Sequence, residues 1–193
     1  MSQPFVLVLF YSRHGSVLNL AKSIAKGIEQ AGVEARIRTV IDSDDHCSDY
    51  PAVDTDDVKN CIGLAMGSPC HFGMMSSSLK KFWESTSNHW ISGELIDKPA
   101  AVFTSSSSLH GGNESTLLSM SLPLLHHGMM LLGVPYSEPE LHKTESGGTP
   151  YGASHVSGLS LSNELSESEK RIAIALGTRL ANTAKLMNTN QAT

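Results

Sequence analysis

The stretch Phe5-Val6-Leu7-Val8-Leu9-Phe10-Tyr11-Ser12-Arg13-His14-Gly15-Ser16-Val17 decides the fold. Its first seven residues are apolar without a break, and a β-rich run of this kind fits a strand buried on both faces, as in a parallel sheet covered by helices. Small polar residues end it abruptly. Leu20, Ile24 and Ile28 then recur at helical spacing up to Gly32, which reads as a C-terminal cap. Strand, small polar loop and helix in that order open a βαβ unit.

The alternation continues outward from this unit. Residues 34–40 predict a second strand, 62–66 a third, 99–104 a fourth and 129–134 a fifth, with helices over about 76–86, 114–126 and 166–186. The acidic, turn-rich run 42–57 predicts an exposed connection, and 138–163 reads as loop. No internal repeat or linker interrupts the pattern, so residues 1–193 are expected to form one α/β domain. The expected sheet is doubly wound, five-stranded and parallel, with helices on both faces. Sheets of this class bind ligands in the crevice outside the carboxyl ends of their strands.

Composition removes several function classes. Hydrophobic residues at 40% together with 16 glycines match a globular chain and exclude disordered and collagen-like readings. A formal charge of −5 without a Lys/Arg stripe argues against nucleic acid as a partner. Cys47, Cys61 and Cys70 make an odd set without CxxC spacing, which suits a reducing cytoplasm better than a disulfide framework. The opening residues lack the features of a signal peptide. Residues 115–137 carry no Asp, Glu, Lys or Arg, but Pro123, His126-His127 and several hydroxyl residues make them a buried soluble segment rather than a membrane span.

Three predicted strands end in unusual loops. The first, 12–17, offers hydroxyls, backbone N–H groups and a helix start, a combination suited to a phosphate monoester. Neither GxGxxG nor GxxxxGK[ST] occurs, so a dinucleotide fingerprint and a P-loop are both absent. The second, Gly67-Ser68-Pro69-Cys70-His71-Phe72-Gly73, combines a fixed turn with glycines that let backbone approach a flat ligand. The third places four serines, then Leu109-His110-Gly111-Gly112, after the fourth strand. A phosphate loop beside two loops suited to a planar ring points to FMN. Adjacent histidines point in different directions on a helix and no second cluster has ligand spacing, so no metal site is expected. Cys70 with His71 or His126 as base lacks any further triad element, and no GxSxG elbow occurs.

With these loops in view the chain resembles, over nearly its whole length, the WrbA family of flavodoxin-like NAD(P)H:quinone oxidoreductases. The resemblance rests on YSRHGSV, GSPCHFG, VFTSSSSLHGGNES, LPLLHHGM and GGTPYGAS. It implies that Ser12, Arg13, His14, Gly15, Ser16 and Val17 hold the FMN phosphate, and that His14 also touches the nicotinamide nucleotide. Pro69, Cys70, His71, Phe72 and Gly73 would border the isoalloxazine ring. Ser105, Ser106, Ser107, Ser108, Leu109, His110 and Gly111 would wrap its pyrimidine side. The resemblance further implies that His126 approaches the flavin carbonyl edge and acts in catalysis together with Trp90, which, with His14 and Phe72, lines the slot where NADH or NADPH and then a quinone stack. The implied reaction is a ping-pong transfer of two electrons by a homodimer or homotetramer. A one-electron carrier and a non-catalytic protein with the same fold are the alternatives. The chain departs from the family at Cys70-His71, where Thr-Arg is usual, exchanging a fixed guanidinium for an imidazole that titrates near neutrality.

Overall fold

In the computed structural model, residues 3–41 and 49–191 are described, so Cys47 and much of the acidic connection lie outside the described residues. The first strand, β1 (Phe5–Phe10), is buried along its whole length. It leads through the first loop into α1 (Ser16–Gln30) and then β2 (Glu34–Thr39). Next come α2 (Thr55–Asn60), β3 (Gly63–Pro69), α3 (Ser77–Glu84) and α4 (Ser87–Ile91). The chain continues with β4 (Pro99–Ser106), α5 (Asn113–His126), β5 (Met130–Leu131), β6 (Ala153–Val156) and α6 (Glu167–Gln191).

All strand pairs are parallel, in the order β2-β1-β3-β4-β5. This is the flavodoxin-like order, which reverses direction between β1 and β3 and opens a crevice there. Side chains of β1 alternate between two cores. Val6, Val8 and Phe10 pack with α1 and α6 on one face, and Phe5, Leu7 and Leu9 pack with α2, α3 and α5 on the other.

Five positions cross the sheet, but two segments share the fifth. β5 pairs Pro99 and Ala100, and β6 pairs Phe103 to Ser106 on the same edge of β4, since β3 occupies the other. The fifth strand expected over 129–134 is therefore short, and the segment 138–163 expected as loop contains β6 and a 3₁₀ turn at Pro139–His142. The cause is that Val134 donates its N–H to the Pro150 carbonyl at 3.0 Å, so the chain leaves β4 to bond its own returning segment.

One further expectation is corrected. Residues 55–57 are not loop but the first turn of α2, because Asp54 accepts from the Asp56 N–H at 2.9 Å and Asp57 accepts from the Asp54 N–H at 3.2 Å, a capping box. The helix expected over about 76–86 is α3, which ends where the Thr86 hydroxyl donates to the Trp83 carbonyl at 2.7 Å, and a further short helix, α4, follows it. Among the described residues no helix is long and apolar enough to cross a membrane.

Candidate functional site

The loops after β1, β3 and β4 meet in a crevice of about 390 Å³ at the carboxyl ends of those strands, a size usual for a small-molecule site. Ser12, Arg13, His14, Ser16 and Val17 line it from the first loop, Pro69, Cys70 and His71 from the second, and Ser105, Ser106 and Ser107 from the third. Among the described residues no Asp or Glu lines it.

The first loop is built for an anion. Gly15 is the N-cap of α1 at φ +90°, a left-handed conformation that a side chain would resist, and it leaves the helix without a capping side chain of its own. Ser12 fills that role from three residues earlier. Its Oγ accepts from the Gly15 N–H at 3.1 Å and the Leu18 N–H at 3.3 Å. The first turn carries no acidic residue, so the unpaired N–H groups and positive dipole end of α1 face the crevice together with the Arg13 side chain. Backbone donors, hydroxyls and one guanidinium, with no competing carboxylate among the described residues, form a donor set that fits a phosphate dianion.

The second loop closes as a two-residue turn. His71 N–H donates to the Met74 carbonyl at 2.9 Å and Met74 N–H to the His71 carbonyl at 3.1 Å, with Phe72 at φ +54° and Gly73 at φ +78° between them. Both central residues are left-handed, as in a type I′ turn, where phenylalanine is strained. The turn projects Phe72 wholly into solvent. Cys70 ties this loop to the third, donating its N–H to the Ser105 carbonyl at 2.8 Å and its thiol to the Gly111 carbonyl at 2.9 Å. Ser108 to Gly111 form the turn beyond the crevice lining. The Ser108 carbonyl accepts from Ser106 Oγ and the Gly111 N–H, and Leu109 and His110 are exposed. Phe72→Asn, which accepts the left-handed conformation readily, is expected to raise unfolding free energy by up to about 1 kcal/mol while removing the apolar side chain. Urea denaturation is the check, and a loss of stability would mean that Phe72 packs rather than strains.

His126 and Trp90 lie elsewhere within one chain. From Asn113 beside the crevice, α5 runs 14 residues back along the sheet, about 20 Å at 1.5 Å per residue. At its far end the Trp90 indole Nε1 donates to the His126 carbonyl at 2.8 Å, and both side chains are exposed. They line a second cavity of about 380 Å³ with Trp83, Pro123 and His127. The crevice and this pair are thus two separate sites on one chain. His127 differs from its neighbour: it is buried, and burial first, then His89 and His126, push its pKa down. Thr86 already donates to Trp83, so its oxygen accepts from His127 Nε2 at 3.1 Å, which leaves Nδ1 as a lone pair without a partner among the described residues.

The sequence reading missed the fourth wall of the crevice. Ser157 and Leu161 also line it. Beneath them lies a buried pair, His155 Nδ1 and Glu169 Oε2 at 2.9 Å. Burial pushes the Glu169 carboxyl up, but His155 and the Ser166 and Val156 N–H groups outweigh it and hold it at about 2. Burial likewise opposes charge on His155, yet Glu169 and the Ser162 carbonyl raise its pKa above 6.5. The pair's contribution to stability is therefore fully present between the unfolded values of 4.5 and 6.5. It is lost as pH falls through about 2 and lost again as pH rises through the raised histidine value. Glu169→Ala is expected to cost roughly 3–5 kcal/mol at pH 5.5 and less at pH 9, measured by thermal unfolding at both. An equal cost at the two pH values would refute the charged pair. Among the described residues no group of His, Cys, Asp and Glu is arranged to hold a metal ion.

Comparison with known proteins places this geometry. The family model described as NADPH-dependent FMN reductase matches residues 6–138. A protein of Chromohalobacter salexigens named NAD(P)H dehydrogenase (quinone) is 39% identical over 93% of this chain and 96% of its own length. A protein of the same name from Rhizobium rhizogenes is 35% identical over 93% and 96%. Among solved structures, a WrbA-like flavodoxin from Agrobacterium tumefaciens shares the fold with a TM-score of 0.71 and 23% identity, covering 96% of this chain and 99% of that one. The two-electron reduced flavodoxin of Megasphaera elsdenii does so with a TM-score of 0.59 and 15% identity, covering 92% and 99%.

Proposed function

The chain belongs to the NADPH-dependent FMN reductase family, and from that membership and from relatives named NAD(P)H dehydrogenase (quinone) we propose that it is a single-domain, FMN-dependent NAD(P)H:quinone oxidoreductase. The observation that carries this reading is the meeting of three loops at the point where the strand order reverses, with the acid-free start of α1 on one side and a projecting aromatic on the other. FMN, when bound, supplies a ring that takes a hydride from NADH or NADPH and passes two electrons to a quinone in a ping-pong sequence.

The protein's own residues bind, orient and shield. Arg13, Ser16 and the first-turn N–H groups of α1 take the phosphate, with Ser12 holding the Gly15 and Leu18 amides in place. The loop 69–73 borders the ring, Phe72 provides an apolar face for the nicotinamide and then the quinone, and His14 contacts the nucleotide. Ser105 to Gly111 wrap the polar edge of the ring.

The pair His126–Trp90 enters the crevice of a second copy, in a homodimer or homotetramer. Leu118, Leu122 and Leu125 support this, being 50%, 58% and 52% exposed along the same helix, an apolar row that water does not favour. The bond from Trp90 to the His126 carbonyl delivers both side chains together. There the His126 imidazole gives a proton to a quinone oxygen, and the Trp90 indole is a flat wall. The free thiols Cys61 and Cys70 suit a reducing cytoplasm.

The test is the visible spectrum of the purified protein with added FMN, under anaerobic NADH and then benzoquinone. The flavin bands should bleach with NADH and return with benzoquinone; bound flavin that ignores both NADH and NADPH overturns the reading. His126→Ala should slow the quinone half-reaction about 100-fold and leave the NADH half-reaction in place. An unchanged quinone rate removes His126 from the proton transfer.

A further inference from the structure

The segment after β6 is held in an unfavourable shape from below. Leu161 stands at φ +51°, a left-handed conformation that costs a side-chain-bearing residue energy unless its surroundings impose it. Its neighbour Ser162 turns its carbonyl inward to His155 Nε2 at 2.9 Å, while His155 Nδ1 meets Glu169. Both ring nitrogens thus face acceptors, and only an imidazolium can donate from both. Glu169 is fully engaged, its Oε1 accepting from Gly147 and Val156 N–H groups at 2.8 and 3.0 Å and its Oε2 from Ser166 N–H at 2.8 Å. Above, the same segment grips the crevice. Ser157 donates its N–H to the Ser106 carbonyl at 3.0 Å, and Asn163 donates to the His14 carbonyl at 3.4 Å with its side-chain amide lying over Gly15.

We propose that His155, as an imidazolium clamped between Glu169 and the Ser162 carbonyl, is a positioning residue that holds residues 157–163 as the outer wall of the phosphate end of the crevice. The proposal rests on the flavin reading above for what the crevice holds, though not for the clamp itself. When the ring loses its proton, one nitrogen becomes a lone pair. The bond to the Glu169 carboxylate is the stronger of the two, so the Ser162 carbonyl is released and the wall loosens. Among the described residues, Glu169 on α6 is the charge that acts on His155; the loop presents a carbonyl to it, and β4 adds no titratable neighbour.

The test uses the full chain. Amide-exchange protection of residues 157–163, relative to intrinsic rates, and the imidazole nitrogen shifts of His155 are followed in the FMN-free protein from pH 6 to pH 9. FMN affinity is measured in parallel on the wild type and His155→Gln. Protection of the segment should fall about tenfold as the imidazole nitrogens report deprotonation, and FMN binding should weaken by about the same factor, the worth of one charge-assisted hydrogen bond. His155→Gln should lose that part of the pH dependence, which separates it from titration of the FMN phosphate. Protection that stays constant while the ring deprotonates overturns the clamp, as does an unchanged FMN profile in His155→Gln. If that variant does not fold, the wild-type shifts and protection decide alone. Failure of the wild type to bind FMN at any pH overturns the flavin reading, and the exchange result still judges His155.

Discussion

Gly177→Ala is expected to destabilise the protein by about 3 kcal/mol or more, although alanine in a helix interior ordinarily adds up to about 1 kcal/mol of stability over glycine. The sign is reversed by the crossing of α1 and α6. A Cβ at Gly177 would stand 2.1 Å from the Ile24 carbonyl oxygen, and a Cβ at Gly27 would stand 2.1 Å from that of Ile174. Each helix therefore lays its bare backbone on the other, and the Thr178 hydroxyl donates to the Gly27 carbonyl at 3.1 Å beside the contact. Backbone cannot rotate away as a side chain can, so a methyl group must push the helices apart and open the core of Leu20, Ile24, Leu176 and Leu180. Because α1 carries at its start the loop proposed to take the FMN phosphate, FMN affinity should fall with stability. Urea midpoints of Gly177→Ala and Gly27→Ala are the check. A rise in either midpoint would show that the helices do not touch there.

Ser16→Asp is expected to move stability and binding in opposite directions. Ser16 is the first residue of α1, and the first turn holds no acid. A carboxylate there faces the positive end of the helix and should stabilise the FMN-free protein by about 0.5 kcal/mol. The same carboxylate lines the crevice proposed above to take the phosphate dianion. Like charges brought together out of bulk water cost several kcal/mol, so FMN affinity should fall by at least about 100-fold. Thermal unfolding without FMN and a flavin titration measure the two halves. A variant that is more stable yet binds FMN as well as the wild type would place the phosphate elsewhere.

The fold was legible where burial leaves one kind of residue possible. β1, β3 and β4 are sealed on both faces, so their apolar runs and the small polar loops after them read directly as sheet and crevice. β6 was hidden because Ala153, Ser154 and His155 are buried through close approach and hydrogen bonds rather than apolar bulk. α2 was hidden because Asp54 and Asp57 are turn residues by composition and a helix cap only by their spacing. For the site, the three loops were visible as residue types, and the structure brings most of them together. The sequence names His126 and Trp90 but does not contain the length of α5 as a distance, so their separation from the crevice emerged only in three dimensions. Ser157, Leu161 and Asn163 carried a weak signal, a Gly/Ser-rich stretch with no strand visible before it.

The crossing of α1 on α6 joins the second element of the chain to the last. During synthesis from the amino terminus, at about 5–20 residues per second, the first βα unit leaves the ribosome with the apolar side of α1 bare. The strands cover part of that side as they emerge, but the strip that meets α6 stays bare until residues 167–191 follow. The nascent chain thus spends several seconds as an open sheet with an exposed helix face, a form that chaperones recognise and that slow, long-range closure prolongs. A chain stalled before α6 would therefore carry every residue of the loop 12–17, proposed above to take the FMN phosphate, on a helix that still lacks its α6 support.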